Sequence, residues 1–498
     1  MATLEEQELG ANLAGWIPTI FLDPKSRHPV FVQIAQALQA EIERGRLRPG
    51  DALPGYRTLA EQLGISRNTV MAAYRELQDQ GWLVSTPGEG SKVAPAPPTR
   101  AQAAAPVAEM GFDLGTPAGP EDPPAPGHLL RVGSGIPDPR LLPGAALARA
   151  YRRALTLNKQ SALTMEDAQG HPKLREALAA MLSATRGIAA TPERILVTRG
   201  SQMAYFLAAH ALVAPGDAVV VEALGHRNAW EAFARAGARC LPVAVDRDGL
   251  DVDAVEALLT QHRVRAVLVS PQRHYPTLVT LSPERRERLL SLASRHRLAL
   301  LENDQDSEFQ YEGHPLAPLA AADATGVVVH VGTLSKVFTP GLRLGLVHGP
   351  VPLIARMKEL RLVFDRQGDL VLERAMAELM EDGELARHLN KMQLVYRRRR
   401  DVLVAALRRE LGEAIQVEPP SGGLALWVEV ADGIDADRLA AKALELGVAV
   451  QPGRQFSFEG RAVPGLRIGF SNYPEPELEE VARRLGAALR SLADPIRE

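Results

Sequence analysis

Residues Val331 to Val347 read VGTLSKVFTPGLRLGLV. Apolar runs of strand character flank the middle of this stretch, Val327 to Val331 before it and Leu344 to Val347 after it, so Lys336 falls in a short connection between two buried strands. An amine can be held rigidly there. Thr333, Ser335 and Arg343 surround the lysine with hydroxyls and a guanidinium, the groups that grip a phosphate while an amine condenses with an aldehyde. The expected element is an anchor for a small aldehyde that carries a phosphate. A serine-rich loop with an exposed lysine has the same spelling over so short a span, and the rest of the chain has to separate the two.

Composition sets the bounds. At 498 residues the chain is too long for one ordinary core, and two to four domains fit it. Apolar content of 46% against 23% charged belongs to a folded protein. The N-terminus, MATLEEQELG, is acidic and lacks an apolar signal core, and no apolar run is long enough to span a membrane, so the expected location is the cytoplasm. The single cysteine, Cys240, excludes intrachain disulfides and any multi-cysteine zinc site and reads as a small core residue. A net charge of -3 gives no bulk attraction to polyanions, so nucleic-acid binding has to be local.

The first folded unit is expected over 21–94. Phe31, Ile34, Leu38 and Ile42 recur at helical spacing and stop at Gly45, a C-cap. A second short helix spans Arg57 to Leu63, and Ser66 caps a third from Arg67 to Gln80. Trp82 to Val84 and Ser91 to Val93 then read as a strand pair around PGEG, a hairpin wing. Helix, turn, helix and wing in that order place the start of the third helix, with Arg67, Asn68 and Thr69, in a DNA major groove. The run GRLRPGDALPGYRTLAEQLGISRNTV, followed by AYRELQDQGWLVSTPGEG, closely resembles the GntR family of bacterial regulators. That resemblance implies DNA contacts from Arg57, from the run Ser66 to Thr69, and from Gly88 at the wing tip. The unit holds nine Lys/Arg against eight Asp/Glu, so affinity for an operator would lean on specific contacts and on pairing two units.

Residues 95–128 carry PAPPTRAQAAAP and GTPAGPEDPPAPG, a proline density that continues neither helix nor ladder and predicts a semi-extended linker. From Leu129 helical and strand patterns alternate over 129–498, the signature of an α/β domain with a mainly parallel sheet. Ile195 to Val197 is a strand candidate leading into TRGSQMAYFLAAHAL, where Gly200, Ser201 and Gln202 open a helix whose amides can bind an anion. Further strands are expected at Ala218 to Val221, Ala266 to Val269, Leu298 to Leu301 and Val327 to Val331.

The order of these pieces, with GIPDPRLLP, TRGSQMA, VEALGH, SPQRHYPT, ENDQDSEF, GTLSK and GLRIGF, resembles a whole fold-type I aminotransferase-like domain. Behind a GntR reading head, this is the arrangement of the MocR subfamily. The resemblance implies pyridoxal 5'-phosphate as cofactor, with Lys336 as its Schiff-base lysine, Arg343 on the phosphate, Tyr275 at the ring oxygen, His226 where an aromatic residue stacks on the ring, and Arg467 gripping an effector carboxylate. It also implies a homodimer. Two positions depart from the family's EDDYDSEF: Asn303 replaces the aspartate that bonds the pyridine nitrogen, and Gln305 replaces the tyrosine at the other ring edge. An amide adds no charge to hold the ring proton. Asp304 is not expected to substitute, because neighbours on a strand point to opposite faces.

The expected function is therefore a DNA-binding transcription regulator that senses the cofactor, or an amine or amino acid joined to it, with transamination weak or absent. A working aminotransferase with a DNA-binding appendage, and a regulator whose body has lost the cofactor and serves as a dimerisation platform, are the alternatives. The basic run Arg397 to Arg400 is expected to be a solvated helix face.

Overall fold

The computed structural model describes residues 20–86, 90–98, 129–133, 135–157 and 167–493. The chain divides into two compact units, Met1–Glu121 and Asp122–Glu498. The expected linker lies mostly outside the described residues, as does Gly88.

In the first unit, α1 (Val30–Glu43), α2 (Tyr56–Leu63) and α3 (Arg67–Asp79) precede a hairpin of β1 (Leu83–Thr86) and β2 (Gly90–Val93). Helix α1 closes on Arg44, one position before the expected cap, and Gly45 follows in the left-handed region at φ 72°. Ile34, Leu38, Leu59, Val70, Tyr74, Leu77 and Val93 form one core. The tight turn between α2 and α3 rests on Gly64 at φ 64°, a conformation open to glycine at no steric cost. The Ser66 hydroxyl accepts the Thr69 amide at 3.2 Å and caps α3.

The second unit is built on a seven-stranded sheet. Its strands are β3 (Ile195–Thr198), β4 (Ala218–Glu222), β5 (Arg239–Val243), β6 (Val264–Val269), β7 (Ala299–Asp304), β8 (Val328–Thr333) and β9 (Gly345–His348). They lie in the order β3-β9-β8-β7-β6-β4-β5, all parallel except β9, which runs antiparallel to both neighbours. The strands read as nearly continuous apolar runs because helices cover both faces. Val219, Val221, Leu268, Leu301, Val331 and Val347 pack on one side against α4 (Gly200–Leu212). Val220, Val267, Leu300 and Val328 pack on the other against α5 (Pro283–His296).

A second, antiparallel sheet holds Ile415–Val417, Ala425–Val430, Gly465–Gly469 and Gln451–Pro452 in that order. The long helix α6 (Glu384–Leu411) packs on the C-terminal helix beside it. The segment that opens the second unit threads into this region: Leu130–Arg131 pairs in parallel with Val448–Ala449.

The structure corrects the reading of Arg397 to Arg400. Arg397 and Arg398 are exposed, but Arg399 and Arg400 are buried. Arg399 pairs with Asp138 at 3.0 Å and Arg400 with Glu312 at 2.7 Å. Helical periodicity turns every third or fourth residue of a run inward, and the acids that receive these two arginines are distant in sequence. Cys240 is only partly buried, on β5.

Candidate functional site: a lysine pocket at the strand ends and a DNA-reading helix

The C-terminal ends of parallel strands, where the chain leaves the sheet, are the usual place for a site in this architecture. Here they bring together residues scattered over more than 300 positions of sequence. Lys336 follows β8, and the Thr333 hydroxyl shapes its loop by accepting the Ser335 amide at 3.1 Å and donating to the Leu344 carbonyl at 3.2 Å. The Lys336 amine is half-buried and donates to the Gly135 carbonyl at 2.8 Å. Burial, with Arg467 nearby, lowers its pKa to about 8. A lysine in that condition is readily available as a neutral nucleophile.

Arg343 sits at φ 51°, and its Nη2 donates to the Arg199 carbonyl at 3.0 Å. That bond lays the guanidinium across the start of α4. A Cβ on Gly200 would come within 3.3 Å of Arg343 Cζ, and Gly200 itself is at φ 76°. Gly345 packs closer still: a Cβ there would stand 2.7 Å from the Gly200 carbonyl carbon. Two glycines thus bring an arginine onto a helix N-terminus, and Ser201 and Gln202 occupy the first turn of that helix. Gln202 donates to the Asn228 carbonyl at 3.1 Å and its Oε1 has no partner.

Three aromatic rings form one wall. His226 lies 5.7 Å from Tyr205 and 5.5 Å from Tyr275, centre to centre. Burial first, and the Lys336 charge second, lower its pKa to about 4, so the imidazole is neutral. Across the pocket, Arg467 is 4% exposed and stacks on the Tyr275 ring at 4.5 Å. Its Nη1 donates to the Pro276 carbonyl at 3.1 Å, and its Nε has no partner. This is a buried cation held by an aromatic face and a backbone carbonyl, far from the surface ion pair that a late, exposed strand could have offered.

Asn303 is inside β7, which runs three residues beyond the expected end. Its Oδ1 accepts the Tyr205 hydroxyl at 2.7 Å, and its Nδ2 donates to Ser270 Oγ at 3.3 Å. Gln305 also interacts with the Tyr205 hydroxyl. Asp304 turns to the opposite face of the sheet, where it meets Arg186 and His330, each at 3.8 Å. Sequence reasoning missed Gly135, Tyr205, Glu222, Ser270 and Asp306. The last carries negative charge toward both Lys336 and Arg467 and pairs with Arg273 at 2.9 Å. Tyr205 was within reach, since it lies one helical turn into the TRGSQMAY opening of α4.

In the first unit, Arg57 is exposed on α2, and Arg67 and Asn68 are exposed on the first turn of α3. Thr69 is half-buried, and its hydroxyl is 2.8 Å from Ser66 Oγ. It therefore supports the cap of this helix. Val70 and Tyr74 hold the helix to the core, with the Tyr74 hydroxyl donating to the Pro54 carbonyl at 2.8 Å.

A winged helix-turn-helix and an aminotransferase body on one chain define a regulator class. The bacterial regulatory proteins of the gntR family match residues 31–93, and class I and II aminotransferases match residues 129–485. The probable rhizopine catabolism regulatory protein MocR of Rhizobium meliloti is 30% identical over 95% of this chain and 96% of its own length. The HTH-type transcriptional regulator TauR of Rhodobacter capsulatus is 31% identical over 95% and 99%. Among solved structures, the kynurenine aminotransferase of Pyrococcus horikoshii, in complex with PMP, superposes with a TM-score of 0.69 at 28% identity, covering 74% of this chain and 92% of that one. The α-aminoadipate aminotransferase LysN of Thermus thermophilus gives 0.68 at 29%, covering 74% and 93%. The chain belongs to the MocR subfamily of GntR transcription regulators: a DNA-binding head joined to an aminotransferase-like body whose fold generally serves pyridoxal phosphate.

Proposed function

We propose that the body binds pyridoxal 5'-phosphate and senses either the cofactor itself or an amine or amino acid joined to it, and that this occupancy governs how the head engages an operator in double-stranded DNA. The observation that carries the reading is the half-buried Lys336 amine near a buried Arg467 that forms no ion pair with a carboxylate among the described residues. The pocket's leftover polar atoms suit such a guest: Ser335 Oγ, Gln202 Oε1, His226 Nδ1 and Arg467 Nε are buried without partners. Buried polar groups are rarely left so unless a ligand completes them.

Arg343, the Gly200 turn, Ser201, Thr333 and Ser335 would hold the phosphate; Lys336 would hold the aldehyde; Tyr275 and His226 would flank the ring. When bound, the cofactor supplies an electrophilic carbon for amines and, where its ring nitrogen is protonated, an electron sink. Asn303 brings no charge to keep that proton, and its two ends are engaged by Tyr205 and Ser270. The residues therefore favour capture of an amine over repeated transamination. Arg467 selects ligands that carry a carboxylate beside the amine.

The active unit would be a homodimer in the cytoplasm, presenting two heads to paired half-sites. A groove of about 740 Å³ beside Arg343, lined in part by Leu147, Tyr151, Leu342 and Leu372, and the exposed Val363 and Phe364 suit a subunit contact. The linker would pass the signal between units.

The test uses purified full-length protein. Incubation with pyridoxal phosphate should give Schiff-base absorbance that is abolished in Lys336→Ala, and amines should change binding to the protein's own upstream DNA. Protein that takes up no cofactor, or rapid repeated turnover with an amino acid and an oxo acid, overturns the reading.

A further inference from the structure

Beneath Asn303 lies a carboxyl group with no assigned role. Glu222 ends β4 and is 5% exposed. Its Oε1 accepts the Ser270 amide at 2.8 Å and its Oε2 accepts the Ser270 hydroxyl at 3.1 Å. The same Ser270 oxygen accepts Asn303 Nδ2 at 3.3 Å, and Asn303 Oδ1 accepts the Tyr205 hydroxyl. Four side chains thus share one line of hydrogen bonds, and each bond in it has a direction.

We propose that Glu222 is a positioning residue for Asn303: its charge state sets the direction of the Ser270 hydroxyl, and that hydroxyl sets which end of the Asn303 amide faces which neighbour. An ionised Glu222 only accepts. Ser270 must then point its proton at the carboxylate, so its oxygen is left to receive an N–H, and Asn303 is held with Nδ2 toward Ser270. A protonated Glu222 can donate to Ser270 instead. The serine proton is then free to turn toward residue 303, and the amide satisfies the line when rotated by half a turn, with Oδ1 toward Ser270 and Nδ2 toward the Tyr205 oxygen. Both arrangements keep a donor against an acceptor at each contact along the line, the Tyr205 proton turning in the second toward Gln305, which also meets that hydroxyl, and they exchange donor and acceptor at whatever Asn303 touches. This inference rests on the proposed cofactor reading, in which Asn303 meets the ring nitrogen. A ring nitrogen without its proton needs a donor there, and a protonated one needs an acceptor.

Burial holds the Glu222 carboxyl up at about 8, so both states are accessible near neutrality. The titratable groups that face it stay neutral in that range. His274, from the loop after β6, has Nε2 3.6 Å from Oε2 and is lowered to about 4 by burial, while it bonds the Leu224 carbonyl. Tyr205, from α4, is raised by burial and by the Glu222 charge.

The experiment loads full-length protein with pyridoxal phosphate labelled with nitrogen-15 in the ring and follows the ring-nitrogen resonance from about pH 6 to about pH 10, the range spanning a carboxyl raised by burial. In the wild type the signal should move with a midpoint near 8. E222Q, whose side-chain amide donates to Ser270 as a protonated carboxyl does, should hold it at the wild-type low-pH position, and S270A should also abolish the transition. Lys336 is intact in both variants, so its own titration cannot account for the loss. A transition retained in E222Q and S270A, or absent from the wild type, overturns the inference; if E222Q does not fold, S270A alone decides it. Failure of the wild type to take up cofactor is a separate result that removes the proposed function and this inference together.

Discussion

Arg467 sits over the Tyr275 ring, its guanidinium carbon 4.5 Å from the ring centre, where no carboxylate among the described residues forms an ion pair with it. Burying a cation that way is costly unless an anion visits. Arg467→Ala should therefore weaken the response to carboxylate-bearing amines by about 10- to 100-fold, the value of a charge-assisted bond of roughly 1.5–3 kcal/mol. Uptake of the cofactor alone should change little. Spectral titration with an amino acid and with its decarboxylated amine checks this, because the two ligands should differ in the wild type and behave alike in the variant.

Asn303→Asp restores a charge at the position expected to meet the ring nitrogen. A carboxylate beside a basic nitrogen raises its pKa by about 1–3 units, which would strengthen the electron sink. The variant should convert an amino acid to its oxo acid in a single-turnover assay faster than the wild type by at least about tenfold. Equal single-turnover rates would show that the amide is not what restrains the chemistry.

Gly200→Ala combines two penalties, φ 76° and a Cβ 3.3 Å from the Arg343 guanidinium. The backbone strain alone should cost about 1 kcal/mol or more of stability. Displacing Arg343 should also lower cofactor affinity by roughly tenfold, the loss of one charge-assisted contact. Thermal melting separates the first effect, and equilibrium dialysis the second.

In the head, Asn68→Ala removes an exposed side chain on the first turn of α3. It should leave melting unchanged and cost about 1–3 kcal/mol of discrimination at one base position. Ser66→Ala removes the cap that receives the Thr69 amide and should destabilise the head by about 1 kcal/mol. Competition binding with single-base operator variants, paired with melting, distinguishes a reader from a support.

Stability should fall in acid for a definite reason. His226 and His274 are lowered to about 4 by burial, against 6.5 for a free imidazole. Between those values the unfolded chain takes up protons that the folded chain refuses, so folding weakens as pH drops from 6.5 toward 4. Glu222 acts on the other side: its carboxyl, raised from 4.5 to about 8, makes folding less favourable as pH rises through that window. Urea unfolding of His226→Phe should be less acid-sensitive than the wild type, and that of Glu222→Gln less alkali-sensitive.

The parts legible in sequence were those that announce themselves locally. The lysine loop, the glycine before α4 and the Ser66 cap each spell their geometry within a few residues. Strand β7 was also legible in kind, and the alternation that sends Asp304 away from Asn303 follows from the pleat alone. What lay outside reach depends on partners far along the chain. The burial of Arg399 and Arg400 is decided by Asp138 and Glu312, and no local pattern points from one to the other. The line from Glu222 to Asn303 joins three strand ends through Ser270, and although VEALGH, SPQRHYPT and ENDQDSEF each contain one member, nothing in those stretches says that the three side chains meet.

The Lys336 amine donates to the carbonyl of Gly135, seven residues past the end of the proline-rich tract. A nitrogen committed to an aldehyde loses protons with which to hold that carbonyl, whereas a lysine released by an incoming amine recovers them. Under the proposed function, occupancy of the pocket would register as a bond gained or lost at Gly135, four residues past the strand Leu130–Arg131. Chemistry at the ring and tension on the chain would be two descriptions of a single bond.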